Sequence, residues 1–235
     1  MRVLALADEV SPVVYSENFP RNLPPFDVVL CAGDLPGYYL EFLATKLRSR
    51  PVYVLGNHAN AYLRSADDPA VARLPGGCTN VHRDVVDVGG LLVAGFEGSA
   101  RYRPAPHQYT EGAYARMTAA LAPKLLWNRW RHGRAVDVLL THAPPKGPHE
   151  GDDFPHRGVP AFNRFHRRWR PAVHVHGHVH LNGANAPREY VTAEGVRVIN
   201  AFDFTLFEID LDARRSAGAP SGAPSGARRG STGRR

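Results

Sequence analysis

The sequence predicts an α/β domain made of two packed β-sheets with helices outside them. Two observations carry this. Early strand-like runs alternate with helical spacing, whereas later runs follow one another almost directly, a mixture that suits two sheets. Five short segments also place metal-binding residue types just after strand-like runs, where ligands gather in open α/β sheets.

In chain order, β-rich apolar runs fall at residues 3–7, 28–32, 52–55, 85–88, 91–96, 136–141 and 173–176, with shorter ones at 189–192, 196–200 and 204–209. Between the second and third, Tyr39, Phe42, Leu43 and Leu47 recur at helical spacing and predict a helix over 38–48. Further helices are predicted at 112–121 and 161–170. Two long loops follow strands. Residues 98–111 carry Arg101, Tyr102, Arg103 and His107, and residues 143–160 carry Lys146, His149, Asp152, Asp153, His156 and Arg157. Loops longer than about 12 residues in a compact domain are often functional, so both are expected to shape substrate access.

The five segments end in Asp8, Gly33-Asp34, Gly56-Asn57-His58, His142 and Gly177-His178-Val179-His180. Neighbouring strands lie about 4.8 Å apart, so side chains from adjacent ends reach one ion or a close pair. Carboxylates, an amide oxygen and imidazoles suit Mn, Fe or Zn better than calcium. Read singly, Gly-Asp-Leu-Pro at 33–36 and Gly-Asn-His at 56–58 are also ordinary turns, and His142 before two prolines also suits a satisfied buried histidine.

Composition narrows the class. Hydrophobic residues make up 43% of 235, ample for one core, and the two cysteines, Cys31 and Cys78, form no C-x-x-C pair. A reducing, cytoplasmic setting is expected, with no signal peptide and no apolar run near the ~20 residues of a membrane span. The net charge of +7 is uneven: 213–235 carry six arginines and no acid, leaving 23 basic against 22 acidic residues elsewhere. A domain over 1–212 and a disordered Gly/Ala/Pro/Ser/Arg tail over 213–235 are expected. Nucleic-acid binding is a weak expectation, through that tail alone. The oligomeric state is open.

The order and wording of the five segments resemble the calcineurin-like metallophosphoesterases, whose motifs run D-x-H, G-D, G-N-H-[DE], a lone His and G-H-x-H. The counterparts are Asp8-Glu9-Val10, Gly33-Asp34, Gly56-Asn57-His58-Ala59, His142 and Gly177-His178-Val179-His180. Two positions depart: Val10 stands where the family has a histidine ligand, and Ala59 where it has a carboxylate. The resemblance implies a four-layer αββα sandwich of two mixed sheets and one or two divalent ions, with Mn favoured. It implies Asp34 as the bridging ligand, Asp8 and His180 at a first ion, and Asn57, His142 and His178 at a second. His58 and Asn57 are the catalytic candidates, His58 giving a proton to the departing alkoxide. Arg157 and His156 are candidate substrate contacts; arginine's fork suits phosphate. Gly33 and Gly56 are expected to let the backbone turn sharply beside the ions.

The implied function is metal-dependent hydrolysis of phosphodiesters or small phosphorylated metabolites, by metal-activated hydroxide attack on phosphorus. The alternative is a degraded member that binds a metal or phosphorylated ligand without turnover. Glu9 is a candidate replacement for the missing histidine, but in a strand it points opposite to Asp8. Phosphoprotein substrates are disfavoured, because Gly33-Asp34-Leu35-Pro36-Gly37 lacks the G-D-x-x-D-R-G of the protein phosphatases. Tyr38, Tyr39 and Tyr102 are candidate base-stacking groups for a nucleotide, although aromatic residues beside a helix usually belong to the core. His174 and His176 are expected to pack in the sheet or to support the ligands from behind.

Overall fold

The computed structural model describes residues 1–63, 73–181, 187–211 and 213. The expected tail over 213–235 lies, but for Ala213, outside the described residues. The first half of the chain runs β1 (Arg2–Ala7), β2 (Val28–Cys31), α1 (Gly37–Lys46), β3 (Val52–Tyr53), α2 (Ala59–Tyr62), β4 (Thr79–Asn80), β5 (Val85–Val88) and β6 (Leu91–Phe96). A short ribbon, β7 (Ser99–Ala100) and β8 (Gln108–Tyr109), precedes α3 (Glu111–Ala120) and α4 (Ala122–His132). The rest is β9 (Val138–Thr141), α5 (Pro160–Trp169), β10 (Val173–His176), β11 (Glu189–Val191), β12 (Arg197–Asn200) and β13 (Asp203–Glu208).

These strands form two mixed sheets, in the orders β13-β1-β2-β3-β4 and β11-β12-β10-β9-β6-β5. In the first, β13 is the antiparallel member. In the second, β11 and β5 pair antiparallel at the edges and the inner strands run parallel. Alternation along each strand builds the layers. Val3, Ala5 and Ala7 of β1 meet Val138, Leu140, Val173 and Val175 of the other sheet in the central core. Leu4 and Leu6 turn outward onto Tyr39, Leu40 and Leu43 of α1. On the far side Phe96 and Leu139 pack under Tyr114, Leu125, Phe162 and Trp169 of α3–α5. The architecture is therefore the expected αββα sandwich.

Some elements escape the sequence pattern. α4 has Pro123 in its first turn, where the missing N–H costs nothing, and only Leu125 is buried, so its apolar stripe is thin. Residues 98–111, expected as plain loop, contain the β7–β8 ribbon. Glu97 anchors this segment: its carboxylate accepts from Tyr109 Oη (2.6 Å) and contacts His107 Nδ1 (3.0 Å), while its carbonyl accepts from Tyr114 Oη (2.9 Å).

The outer face of β10 is made of histidines. Val173 and Val175 fill the central core, so His174 and His176 point the other way and are fully buried. Thr141 Oγ1 donates to the Ala143 carbonyl (2.6 Å) and therefore accepts from His174 Nε2 (2.7 Å). His174 Nδ1 then accepts from His166 Nε2 of α5 (2.8 Å). His176 Nδ1 donates to the Gly177 carbonyl (2.9 Å), so its Nε2 accepts from His149 Nδ1 (2.8 Å). These four rings tie α5 and the 143–160 loop to β10, and His174 and His176, which each donate from one nitrogen and accept at the other, must stay neutral to keep that donor order.

Burial pushes His149 and His166 down to about 4, His176 down to about 3 and His174 well below the ordinary histidine value. The unfolded chain therefore takes up protons that the folded chain refuses. The contribution of these rings is full above about pH 6.5 and is lost as pH falls toward 4, at up to about 1.4 kcal/mol per pH unit for each ring in that window. Thermal melts from pH 7.5 to 4.5 should show a steep fall of Tm beginning near pH 6.5. A Tm that stays flat down to pH 5 would contradict the neutral histidine ladder.

Candidate metal centre

The candidate ligands sit where buried strands stop. Asp8 follows β1, Asp34 lies three residues beyond β2, His142 follows β9, and Gly177-His178 follow β10. The two sheets meet closely at this rim. His142 Nδ1 of one sheet lies 2.9 Å from the Ala32 carbonyl of the other. A Cβ placed on Gly177 would come within 2.5 Å of Ala7 Cβ and 2.7 Å of Asp8 Oδ2. Four residues here take left-handed backbone angles: Asp8 (φ 68°), Gly33 (φ 95°), Asp34 (φ 51°) and His178 (φ 70°). Such angles are uncommon outside glycine and cluster at functional sites.

His142 is fully buried, and its contacts define the centre. Its Nδ1 faces a carbonyl and so carries a hydrogen. Its Nε2 lies 3.0 Å from Asn57 Oδ1 and 3.2 Å from Asp34 Oδ2, and both of these only accept. The Asn57 amide is oriented by its Nδ2, which donates to Tyr102 Oη at 3.3 Å. Nε2 must therefore hold a second proton or direct its lone pair at a cation shared with the two oxygens. Burial opposes a charged ring, but the Asp34 and Asp8 carboxylates outweigh it and raise His142 to about 9. Ligands on a hexacoordinate ion with bonds of about 2.1 Å stand about 3.0 Å apart, the spacing seen here. The donor set fits a divalent cation.

The carboxylates are held from the backbone side. Asp34 Oδ1 accepts from the His58 N–H (3.0 Å), leaving Oδ2 toward His142. Burial alone would raise its pKa, but His142's charge and the hydrogen bonds from His142 and His58 hold it below the usual carboxylate value. Asp8 accepts from the His178 N–H through both oxygens (3.1 and 3.0 Å), and burial lifts it to about 7. Asp8, Asp34 and His142 each offer a ligand atom within 4.8 Å of the others. His178 Nε2 donates to the Pro155 carbonyl (2.9 Å), which leaves Nδ1 as its lone-pair atom. Burial drives its pKa down to about 3, so the ring is in the neutral form a metal requires.

An open cleft of about 240 Å³ is lined by Asp8, Asp34, His58, His156, His178 and His180. His58 is exposed at the start of α2, and His180 is exposed on the opposite rim beside Phe202. His156 stands 4.9 Å from the His178 ring, with its Nδ1 2.6 Å from Asp153 Oδ1. The structure thus gathers Asp8, Asp34, Asn57, His142 and His178, with His58, His156 and His180 around the opening. Arg157 instead lines a neighbouring cavity, its guanidinium 4.5 Å above the Phe154 ring.

Several residues differ from the sequence reading. Val10 is half-buried against the apolar cluster that includes Leu4 and Leu6, so that position points away from metal chemistry. Gly33 does take a glycine angle, but Gly56 is required by close approach: a Cβ there would sit 2.0 Å from Asp34 Oδ1. Tyr39 is a fully buried core residue, while Tyr38 is exposed and packs edge-on against Tyr15. Tyr102 orients Asn57 and Pro155 fixes His178. Both lie in loops, where spacing carries no signal for such contacts.

A profile of the calcineurin-like phosphoesterase family matches residues 4–182. No curated protein matches the chain. One solved crystal structure aligns over 90% of this chain and 95% of its own, at TM-score 0.59 and 16% identity. TT1561 of Thermus thermophilus aligns over 91% and 95%, at TM-score 0.55 and 18% identity. These two likenesses show the shared fold. With the matched residues running from β1 through the His178–His180 segment, the chain belongs to the calcineurin-like phosphoesterase family.

Proposed function

We propose that this protein hydrolyses phosphodiesters or small phosphorylated metabolites with one or two divalent ions, manganese foremost, held at the rim of the two sheets. The observation that carries this is His142 Nε2 facing two acceptors, Asn57 Oδ1 and Asp34 Oδ2, in a fully buried position. Asp34 would hold both ion positions, Asp8 and His180 the first, and Asn57, His142 and His178 the second. Bound divalent ions supply Lewis acidity to phosphoryl oxygens and acidify water. The Ala32 and Pro155 carbonyls fix which nitrogen of His142 and of His178 is offered. His58, exposed over the cleft, would give a proton to the leaving oxygen. His156 faces the same opening, where the phosphate would sit. The working unit is 1–212, and the unpaired Cys31 and Cys78 suit a reducing, cytoplasmic setting.

A second reading, a ligand-binding member without turnover, is favoured by Val10. Its side chain belongs to an apolar cluster and leaves the first ion position one ligand short. Metal stoichiometry combined with turnover separates the two readings.

Metal-stripped protein given Mn²⁺ should hydrolyse an aryl phosphodiester, and Asp34→Asn should lower kcat/KM by about 10³-fold or more. Folded, metal-loaded protein no faster than Asp34→Asn on either a diester or a monoester would favour the second reading. His58→Ala should slow esters with poor leaving groups by about 10²–10⁴-fold and spare activated aryl esters. Equal losses on both would remove His58 as the proton donor.

Metal binding has its own signature. His142 (about 9) and about half of Asp8 (about 7) are protonated at pH 7 without metal, so loading should release between about one and two protons. Apparent metal affinity should rise from pH 6 to about 9 and then flatten, as titration calorimetry in buffers of different ionisation heat would read. Gly56→Ala should weaken metal binding by about 10-fold or more, because its Cβ displaces Asp34 Oδ1. Unchanged affinity in that variant would break the link between the glycine and the site.

A further inference from the structure

Segments 98–111 and 143–160 meet around a second cavity, of about 480 Å³, which shares no lining residue with the metal cleft. It stands one residue from the metal centre on two sides. Tyr102, which takes the Asn57 hydrogen bond, follows Arg101, which lines the cavity. His156, which lines the cleft, precedes Arg157, which lines the cavity. Successive Cα atoms lie about 3.8 Å apart, so the two spaces are bordered by neighbouring residues of the same two segments.

The lining is basic on one part and apolar on another. Arg101, Lys146 and Arg157 contribute the cations, and Tyr109, Val159 and Pro160 contribute much of the apolar wall. The one lining carboxylate, Glu111, is engaged by Arg164. Lys146 lies 3.4 Å from Glu150 at the edge. Arg101 has no ion pair among the described residues. Arg157 stacks on Phe154, which steadies its fork while leaving the N–H donors available. A cavity in the size range of ligand sites, with three cationic groups beside aromatic and aliphatic walls, suits an anion carried on an apolar or aromatic body.

We propose that this cavity binds a second anionic group of the substrate, a phosphate or carboxylate on a flat organic body of about nucleoside size. The metal centre takes the phosphate to be cleaved. The word substrate rests on the phosphoesterase reading; the anion site rests on the cavity's own residues. Arg157 thereby serves the far end of the ligand and not the reacting phosphate.

Two arms test this, both on the full metal-loaded chain. Titration calorimetry with naphthalenesulfonate, a flat anion that ligates metals poorly, should give saturable one-to-one binding. The Arg101→Gln/Lys146→Gln double variant, both exposed residues, should weaken it by about tenfold, and so should Arg157→Gln separately. Absent binding, or equal binding in wild type and variants of unchanged Tm, would overturn the anion site. The second arm compares turnover of the p-nitrophenyl diester of thymidine monophosphate with and without an added phosphate on the far hydroxyl. The added phosphate should raise kcat/KM by about fivefold or more, and the double variant should abolish that preference. Hydrolysis of both esters without preference, or a preference that survives in the variant, would overturn the substrate assignment. Failure to hydrolyse either would defeat the phosphoesterase reading and with it the substrate assignment, leaving the calorimetric arm to decide the anion site.

Discussion

The site depends on how closely two sheets approach at one rim. His142 leaves the second sheet and presses its ring between the Ala32 carbonyl, Asn57 and Asp34 of the first, with no exposed surface. A ring that donates from one nitrogen and meets only acceptors at the other is an incomplete arrangement without a cation or a second proton. Two buried carboxylates sit beside it. Concentrating that charge at a largely buried rim costs several kcal/mol per ion unless it is compensated, as a bound cation would do. The glycines follow from this. Gly33, Gly56 and Gly177 each stand where a Cβ would collide with His142, Asp34 or Asp8.

β10 and the turn after it separate histidines buried in the fold from histidines that line the cleft. His174 and His176 keep the strand's alternation and lie beneath α5 and the 143–160 loop, bonded to other histidines. After Gly177 the chain takes a left-handed angle at His178, and the alternation ends. His178 then points into the cleft and His180 to its rim. Four histidines at a spacing of two thus divide into a pair buried inside the fold and a pair at the cleft. The dividing element is a backbone angle that residue spacing does not reveal.

Much of the fold was legible because both faces of the central strands are buried, so the runs at 3–7, 28–32 and 91–96 read as apolar without interruption. The candidate ligands were legible for a related reason: strand ends fix them, and strand ends are visible in sequence. α4 was not, because it buries one leucine and carries Trp127 and Trp130 on its exposed side. Nor were the groups that orient the ligands. Tyr102 and Pro155 act through a hydroxyl and a carbonyl brought in by loops, and loop conformation depends on contacts such as those of Glu97 that arise only after folding. Val10 was legible as a missing ligand but not as a core residue, since its packing partners come from the cluster around α1.

The 143–160 loop has two jobs that cannot be changed independently. Its Pro155 carbonyl fixes the tautomer of His178, and two residues later Arg157 enters the neighbouring cavity. His149 of the same loop is bonded to His176, immediately before Gly177. Reshaping this loop to accept a different molecule therefore also moves the carbonyl that orients His178. Divergence of this protein toward new ligands is channelled accordingly: substitutions from residue 157 onward reshape the cavity while leaving His149, Pro155 and the cleft residue His156 in place.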